Sequence, residues 1–242
     1  MNKDNALKLL TQIKDGAVVL DVGGWFCPFR RANWVIDCMP YETRAKGGFI
    51  GGDKEYFSKQ TWVQRDICDR SPFPFKDKEI DVTICSHALE DVRDPVFVCS
   101  EIRRVSKQGY IEVPSKFAEL SFGVESARYA GYSHHRWIAE ILNNKISFFH
   151  KPHLIHSLWK YHFPVSYGRH IKQVDRVQCL FWEDSFDFEE KINVEFDVLL
   201  REIKEFIAFS GVYSESRYRI DELREAFKKT RICKELLAGF RR

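Results

Sequence analysis

The sequence predicts an α/β fold built on a mostly parallel, doubly wound sheet. Three observations predict it: a β-branched run at residues 18–20 that suits a strand buried on both faces, a glycine turn directly after it, and repeated alternation of strand-like and helix-like segments up to residue 113. With 242 residues, 44% of them hydrophobic, the chain is long enough to bury a substantial core. We therefore expect a folded globular protein.

The first strand and its turn carry the clearest signal. An amphipathic helix over residues 3–14 precedes the strand, which ends at Asp21, and Gly23 and Gly24 follow. Because glycine has no Cβ, such a turn can be tight and its backbone N–H groups can approach a ligand. Asp37 ends the next apolar run, where nucleotide-binding sheets place the acid that binds a ribose.

The remaining elements follow from apolar spacing and from glycine and proline boundaries. A glycine-rich loop covers residues 39–57, and a strand over residues 80–85 ends at Ser86 and His87. The further predicted elements are a helix at 95–105, a strand at 110–113, a hairpin of 136–141 with 146–151, a helical run at 154–161, strands at 177–182 and 185–188, and helices at 196–207 and 220–237.

Composition narrows the classes of function. The 38 basic and 35 acidic residues nearly balance, so nucleic acid is not expected as a partner, and the basic residues near the C-terminus are interpreted as a solvated helix face. No apolar run approaches the ~20 residues that a bilayer requires, and the first residues lack the pattern of a signal peptide. The seven cysteines form no CxxC pair, which is typical of free thiols. We expect a cytoplasmic protein without a membrane segment; the sequence predicts no oligomeric state.

The order of several motifs resembles the class I S-adenosylmethionine-dependent methyltransferases, in a type 11-like branch. The motifs are the acid and glycine turn at residues 19–24, the acid at residue 37, Asp66-Ile67, Pro72-Phe73, and the strand that runs through Ser86-His87 to Pro95. Several motifs in the family's order are more specific than any one alone.

The resemblance implies a Rossmann-like, mostly parallel seven-stranded sheet with an antiparallel edge. Residues 1–190 would form the methyltransferase-like domain, with a hairpin insertion at about residues 132–151, and residues 191–242 a C-terminal helical extension packed on it. The cofactor would be S-adenosylmethionine. By resemblance, Asp21, Gly23 and Gly24 would line its methionine part, Asp37 would bind the ribose, Asp66 and Ile67 would hold the adenine, and Ser86 and His87 would lie beside the reactive methyl group.

The implied activity is methyl transfer to an oxygen or nitrogen of a small-molecule or glycan acceptor. Such an acceptor would benefit from a general base, for which His87 and His135 are the candidates. A structural role is equally open for each: a hydrogen-bonded strand end for His87 and a hairpin anchor for His135. The histidines at 134, 135, 150, 153 and 156 match no standard metal spacing, and no cysteine or carboxylate partner is positioned with them, so no metal is expected.

Two alternatives remain open. Trp25 stands where the family has a further glycine, and its indole could occlude the methionine pocket or swing outward. The first alternative is therefore a catalytically silent binding protein of the same fold. The second is an NAD-dependent oxidoreductase, which ranks last because the full GxGxxG pattern is missing and the segments at Asp66 and Ser86 are unexplained by it.

Overall fold

The computed structural model describes residues 1–45, 50–192, 195–211 and 214–229. The chain divides into two compact units. We call residues 1–115, 134–151 and 173–192 the sheet unit, and residues 116–133, 152–172 and 193–242 the helical unit. Part of the predicted loop at 39–57 and the predicted helical residues 230–237 lie outside the described residues.

The elements follow in chain order. The strands are β1 (Val19–Val22), β2 (Trp34–Asp37), β3 (Trp62–Gln64), β4 (Ile80–Ser86), β5 (Ser106–Pro114), β6 (Trp137–Leu142), β7 (Lys145–His150), β8 (Val177–Glu183) and β9 (Asp187–Glu190). The α-helices are α1 (Lys3–Gln12), α2 (Pro95–Val105), α3 (Lys116–Glu119), α4 (Val165–His170), α5 (Phe196–Phe209) and α6 (Glu215–Lys229).

The main sheet contains six strands in the order β3-β2-β1-β4-β5-β8. The first five are parallel and β8 runs antiparallel to β5, which confirms the predicted α/β class and its antiparallel edge. Val19 and Leu20 of the predicted run are wholly buried in β1, whereas Val18 precedes the strand and is half-buried. The strand order reverses between β1 and β4, and in open α/β sheets ligands bind beyond the carboxyl ends of the strands at such a point.

The predicted count of seven strands in one sheet is wrong. The segment predicted as a strand at 185–188 forms β9, which pairs in parallel with β7 in a second sheet of order β6-β7-β9. The chain turns away from the main sheet at Asp184, where φ is +60°, and Phe186 then packs on Trp182 with the ring centroids 5.0 Å apart.

The hairpin predicted after the fifth strand is present. Strands β6 and β7 pair antiparallel, and the turn between them holds Asn143 and Asn144 at φ values of 51° and 60°. Asparagine tolerates this left-handed region, which two-residue hairpin turns require.

The run at 154–161 is not one helix. It forms two 3-10 turns, His153–His156 and Trp159–Tyr161. Pro152 and Pro164 mark the two ends of this run.

The connections between the parallel strands consist mostly of loops. Among the described residues, the links between consecutive parallel strands contain only one α-helix, α2, and short 3-10 turns. Helix α2 starts at Pro95 and is capped by the Asp94 carboxylate, which accepts the Phe97 N–H at 2.9 Å.

None of the described helices combines the length and the apolar character that a membrane crossing needs.

Candidate active site

In the turn after β1, the neighbouring atoms leave no space for a side chain at either glycine. Gly23 has a φ of +76°, and a Cβ placed on it would lie 2.4 Å from the Cβ of Ala88. A Cβ on Gly24 would lie 2.3 Å from Oδ2 of Asp21. Both contacts are far shorter than van der Waals distance, so any side chain at either position would displace the loop after β4 or the Asp21 carboxylate.

The carboxyl group of Asp21 is buried against this turn. Its Oδ2 accepts the Phe29 N–H at 2.7 Å. Burial, together with the smaller effect of the charge of Asp37, raises the pKa of Asp21 to about 7, although the hydrogen bond from Phe29 lowers it. Asp21 therefore holds the turn in place from within the protein.

Asp37 and Trp25 join the turn to the end of β2. Oδ2 of Asp37 accepts the Trp25 N–H at 2.9 Å, and Oδ1 accepts the Met39 N–H at 2.8 Å. The indole Nε1 of Trp25 donates to the carbonyl and the hydroxyl of Thr43, at 3.0 Å each. The indole is thus directed to the loop after β2.

Asp66 lies at the end of the neighbouring strand, β3. Its side chain is 47% exposed; Oδ1 accepts the Cys68 N–H at 2.8 Å, and Oδ2 pairs with Arg93. The hydrogen bond from Cys68 and the pairing with Arg93 lower the pKa of Asp66. Ile67 is buried in the main hydrophobic core. Of the two residues predicted to hold the adenine, the Asp66 carboxylate is therefore accessible to a ligand, whereas Ile67 is nearly inaccessible.

The residues at this edge fit S-adenosylmethionine in their chemistry. A carboxylate has about four acceptor positions, so Asp37 keeps acceptor capacity for ribose hydroxyls beyond the two backbone donors it already binds. Asp66 offers a half-exposed acceptor, and the turn carries no side chain at Gly23 or Gly24. When bound, this cofactor supplies an activated methyl group.

A network of buried charges lies at the ends of β4 and β5. His87, at a φ of +56°, places Nε2 at 3.1 Å from Oε1 of Glu112 and Nδ1 at 3.2 Å from Oε1 of Glu90. Glu112 has no exposed surface and also accepts the Ser86 hydroxyl, the Tyr110 hydroxyl and the Asn2 N–H. The imidazole therefore bridges two buried carboxylates.

These contacts determine the charge of His87. Burial alone would lower its pKa, but the hydrogen bonds to Glu112 and Glu90 outweigh burial and raise the pKa to about 9. Burial likewise opposes ionisation of Glu112, yet the donors around it, His87 first, bring its pKa well below the usual range. His87 is thus an imidazolium at neutral pH, with both ring nitrogens donating.

The second histidine candidate, His135, approaches the same oxygen of Glu90. Nε2 of His135 is 4.0 Å from Oε1 of Glu90 and 3.8 Å from Oδ1 of Asp91, while Nε2 of His134 is 3.7 Å from Oδ2 of Asp91. Two histidines and a carboxylate thus lie within metal-ligand reach of one another. The expectation that no carboxylate accompanies these histidines is wrong, because the fold brings Asp91 to them from 43 positions away.

Most of the predicted residues therefore lie at one edge of the sheet, and His87 and His135 both contact or approach Glu90. The sequence interpretation assigned no role in the site to Glu90, Asp91 or Glu112. Glu112 could have been noticed as a charged residue inside an otherwise apolar strand, since such a residue is seldom buried without a partner. The roles of the predicted residues remain predictions.

The comparisons with known proteins concern this same edge. A family model described as a methyltransferase domain matches residues 44–111, a range that includes Asp66 and His87 and begins after the glycine turn. A search of curated proteins finds no match.

Among solved structures, the chain is similar to three methyltransferase chains of low identity. The first is a candidate methyltransferase of Haloferax volcanii in complex with a methyltransferase activator; it is 21% identical, the match covers 46% of this chain and 51% of that chain, and the TM-score is 0.33. The second is a candidate methyltransferase of Bacillus halodurans, with 19% identity, coverage of 47% of this chain and 51% of that chain, and a TM-score of 0.35. The third is an S-adenosylmethionine-dependent methyltransferase of Mesorhizobium loti, with 16% identity, coverage of 61% of this chain and 62% of that chain, and a TM-score of 0.34. The matched part spans about half to three fifths of these chains. The family match covers less than half of the chain, and it makes residues 44–111 similar to a methyltransferase domain.

Proposed function

We propose that the sheet unit transfers a methyl group from S-adenosylmethionine to an oxygen or nitrogen of a small-molecule or glycan acceptor. One observation carries the proposal: acceptor groups at the ends of β2 and β3 and the His87 network at the end of β4 lie on either side of the glycine turn, where the strand order reverses. Because the methyl group arrives activated, the chain contributes mainly by positioning the two reactants.

Each residue has a proposed task. The glycine turn lets the backbone approach the methionine part of the cofactor. The buried Asp21 carboxyl group stabilises this turn. Asp37 accepts hydrogen bonds from the ribose hydroxyls. Asp66 accepts a hydrogen bond from the exocyclic amine of adenine, beside Ile67. Ser86 is held by Glu112 at the end of β4, next to the reacting centre.

The two histidines differ in what they can do with a proton. His87 has no free lone pair at neutral pH, because both its nitrogens donate to carboxylates. We therefore propose that His87 is a positioning residue and that His135 is the candidate general base. Nε2 of His135 lies 4.0 Å from Oε1 of Glu90 and 3.8 Å from Oδ1 of Asp91, so two carboxylates flank the nitrogen that would take the proton.

One observation favours the silent binding protein as a second candidate. Both oxygens of Asp37 already accept backbone N–H groups, and Trp25 is held by its N–H and by its indole. If these contacts keep the cofactor out, Trp25→Gly should create or strengthen binding of S-adenosylhomocysteine. Unchanged or weaker binding in that variant would remove this candidate.

The leading proposal is tested by thermal shift with S-adenosylhomocysteine. We expect the ligand to raise the Tm of the protein, since it binds only the folded state. Asp66→Ala should remove the shift, because the lost carboxylate is an accessible ligand acceptor. Asp69→Ala is the matched control, since Asp69 is a partly exposed carboxylate in the same loop that pairs with Arg65, and it should keep the shift.

Two results would contradict the proposal: a folded wild-type protein without any shift, or an equal loss of the shift in both variants. With cofactor binding established, mass spectrometry of cell extracts incubated with the protein and S-adenosylmethionine should detect a gain of one methyl group in the acceptor.

A further inference from the structure

The cluster of Asp91, His134 and His135 has the composition and spacing of a metal site. One ligand atom from each of the three lies within 4.8 Å of the other two. A tetrahedral zinc site with bonds of about 2.0 to 2.1 Å separates neighbouring ligand atoms by roughly 3.4 Å. Nε2 of His134 lies 3.7 Å from Oδ2 of Asp91, and Nε2 of His135 lies 3.8 Å from Oδ1 of the same carboxylate. Both distances are close to that separation, and a small rotation of the Asp91 carboxylate would bring one oxygen to both imidazoles.

The backbone holds the two sides of this cluster together. The N–H groups of Arg136 and Trp137 both donate to the carbonyl of Glu90, at 2.8 Å and 3.1 Å. The indole Nε1 of Trp137 donates to the carbonyl of Val92 at 2.8 Å. These three hydrogen bonds connect the segment that carries His134 and His135 to the segment that carries Asp91. The backbone of the cluster is therefore already ordered, and ion binding pays little entropy to order it.

The side chains differ in their access to solvent. His135 is 5% exposed and therefore held in place, whereas His134 is 58% exposed and Asp91 is 37% exposed. An ion from solution can reach the cluster from the side of His134, and the exposed imidazole can close the remaining distance by side-chain rotation. The open side also leaves room for a water or a substrate atom in the fourth position, as in catalytic zinc sites.

The charge of the surroundings suits a cation. Glu90 is almost wholly buried next to His135, and within the described part of the chain its Oε2 accepts no hydrogen bond. Its Oε1 already pairs with the His87 imidazolium, whereas burying the unbonded Oε2 is costly, and a cation nearby would offset that cost.

We propose that Asp91, His134 and His135 bind a divalent transition-metal ion of the zinc type. Two imidazole nitrogens and one carboxylate oxygen suit zinc and related first-row ions better than magnesium or calcium, which prefer oxygen ligands throughout. A bound ion takes the Nε2 lone pair of His135, so the general-base role proposed for His135 applies to the metal-free protein. Cofactor binding through Asp66 is independent of both.

The experiment is titration of the purified, metal-stripped full chain with Zn²⁺, followed by calorimetry, and with Co²⁺, followed by visible absorption. We expect one ion per chain and the d–d bands of a nitrogen and oxygen ligand set. His134→Ala and Asp91→Asn should each lower the affinity by at least roughly 100-fold, because altering even an outer partner of a metal ligand costs about 10- to 100-fold. His134→Ala alters an exposed side chain, so it keeps the test valid if Asp91→Asn unfolds.

His153→Ala is the matched control, since it removes another exposed histidine outside the cluster. It should bind Zn²⁺ as the wild type does, and a tenfold excess of Mg²⁺ should leave the Zn²⁺ titration unchanged. Absence of stoichiometric Zn²⁺ binding, equal binding in all variants, or displacement by Mg²⁺ would each overturn the assignment. The shift with S-adenosylhomocysteine, measured on the same preparations, separates this outcome from failure of the proposed function.

Discussion

The glycine turn after β1 and the His87 network after β4 lie at the same edge of the sheet but are built differently. In the turn, glycines make room and carboxylates of Asp21 and Asp37 accept backbone N–H groups. In the network, a charged imidazole bridges the carboxylates of Glu90 and Glu112. The turn depends on shape and the network on charge, so the two should respond to different changes.

The largest effect is expected from removing the charge at the centre of the network. Glu112→Gln keeps the shape of the side chain but leaves the His87 imidazolium with one carboxylate partner, and breaking a buried ion pair costs about 3–5 kcal/mol of the free energy of unfolding. Urea denaturation measures this loss. Glu189→Gln is the control: that carboxylate pairs with Lys145 at the surface, so the change should lower the free energy of unfolding far less. Similar losses in the two variants would mean that the network does not stabilise the fold.

The second expected effect is a pair of separate pH windows, one for each region. Folding raises the pKa of Asp21 from 3.8 to about 7, so the folded state retains a proton that the unfolded chain releases, and the free energy of unfolding falls as the pH rises from about 4 to 7. The fall is on the order of 4 kcal/mol, at 1.36 kcal/mol for each pH unit. Folding raises the pKa of His87 from 6.5 to about 9, so its stabilisation is complete below pH 6.5 and is lost as the pH rises to 9.

Two variants separate these windows. Asp21→Asn should flatten the dependence of the free energy of unfolding on pH between 4 and 7 relative to wild type. His87→Gln should flatten the dependence between 6.5 and 9, by a smaller amount because the ring is partly exposed to solvent. Chemical denaturation at half-unit pH intervals gives both difference curves, and variants whose curves run parallel to wild type would refute the assignment of these two groups.

The smallest expected effect isolates the role of shape in the turn. Gly23→Ala places a Cβ 2.4 Å from Ala88 at a φ of +76°, whereas Gly16→Ala meets no atom within 4 Å at the similar φ of +78°. The left-handed backbone penalises both alanines about equally, so the difference between them measures the collision. We expect Gly23→Ala to cost about 1–3 kcal/mol more than Gly16→Ala in thermal denaturation, as overpacking does. Equal costs would show that backbone conformation alone requires the glycine.

The same contrast explains which features were predictable. The turn, the buried strand before it and the strand ends at Asp37, Asp66 and Ser86 are local patterns, because the residues that define each are neighbours in the sequence. The hairpin at Asn143-Asn144 is local in the same sense. The pairing of β9 with β7 was mispredicted, since a short apolar run does not specify which strand edge will receive it.

The partners of the candidate catalytic residues could not be predicted locally. His87 and Glu112 are 25 positions apart, and Asp91 and His134 are 43 apart. Only the parallel pairing of β4 with β5 places Glu112 beside the end of β4, and only the contacts of Trp137 and Arg136 with residues 90–92 bring the two histidines to Asp91. The charge of His87 follows from these contacts, so its candidacy as a base could not be judged before the fold was known.

The sequence by itself determined the α/β class, the glycine turn and the row of polar residues at strand ends, because hydrophobic period and glycine placement act over a few residues. The tertiary structure decided that Trp25 is directed to Thr43, that His87 is a charged bridge, and that Asp91, His134 and His135 form one cluster. The physical reason is that burial and charge pairing depend on distances between atoms, which the order of residues does not specify until distant segments pack together.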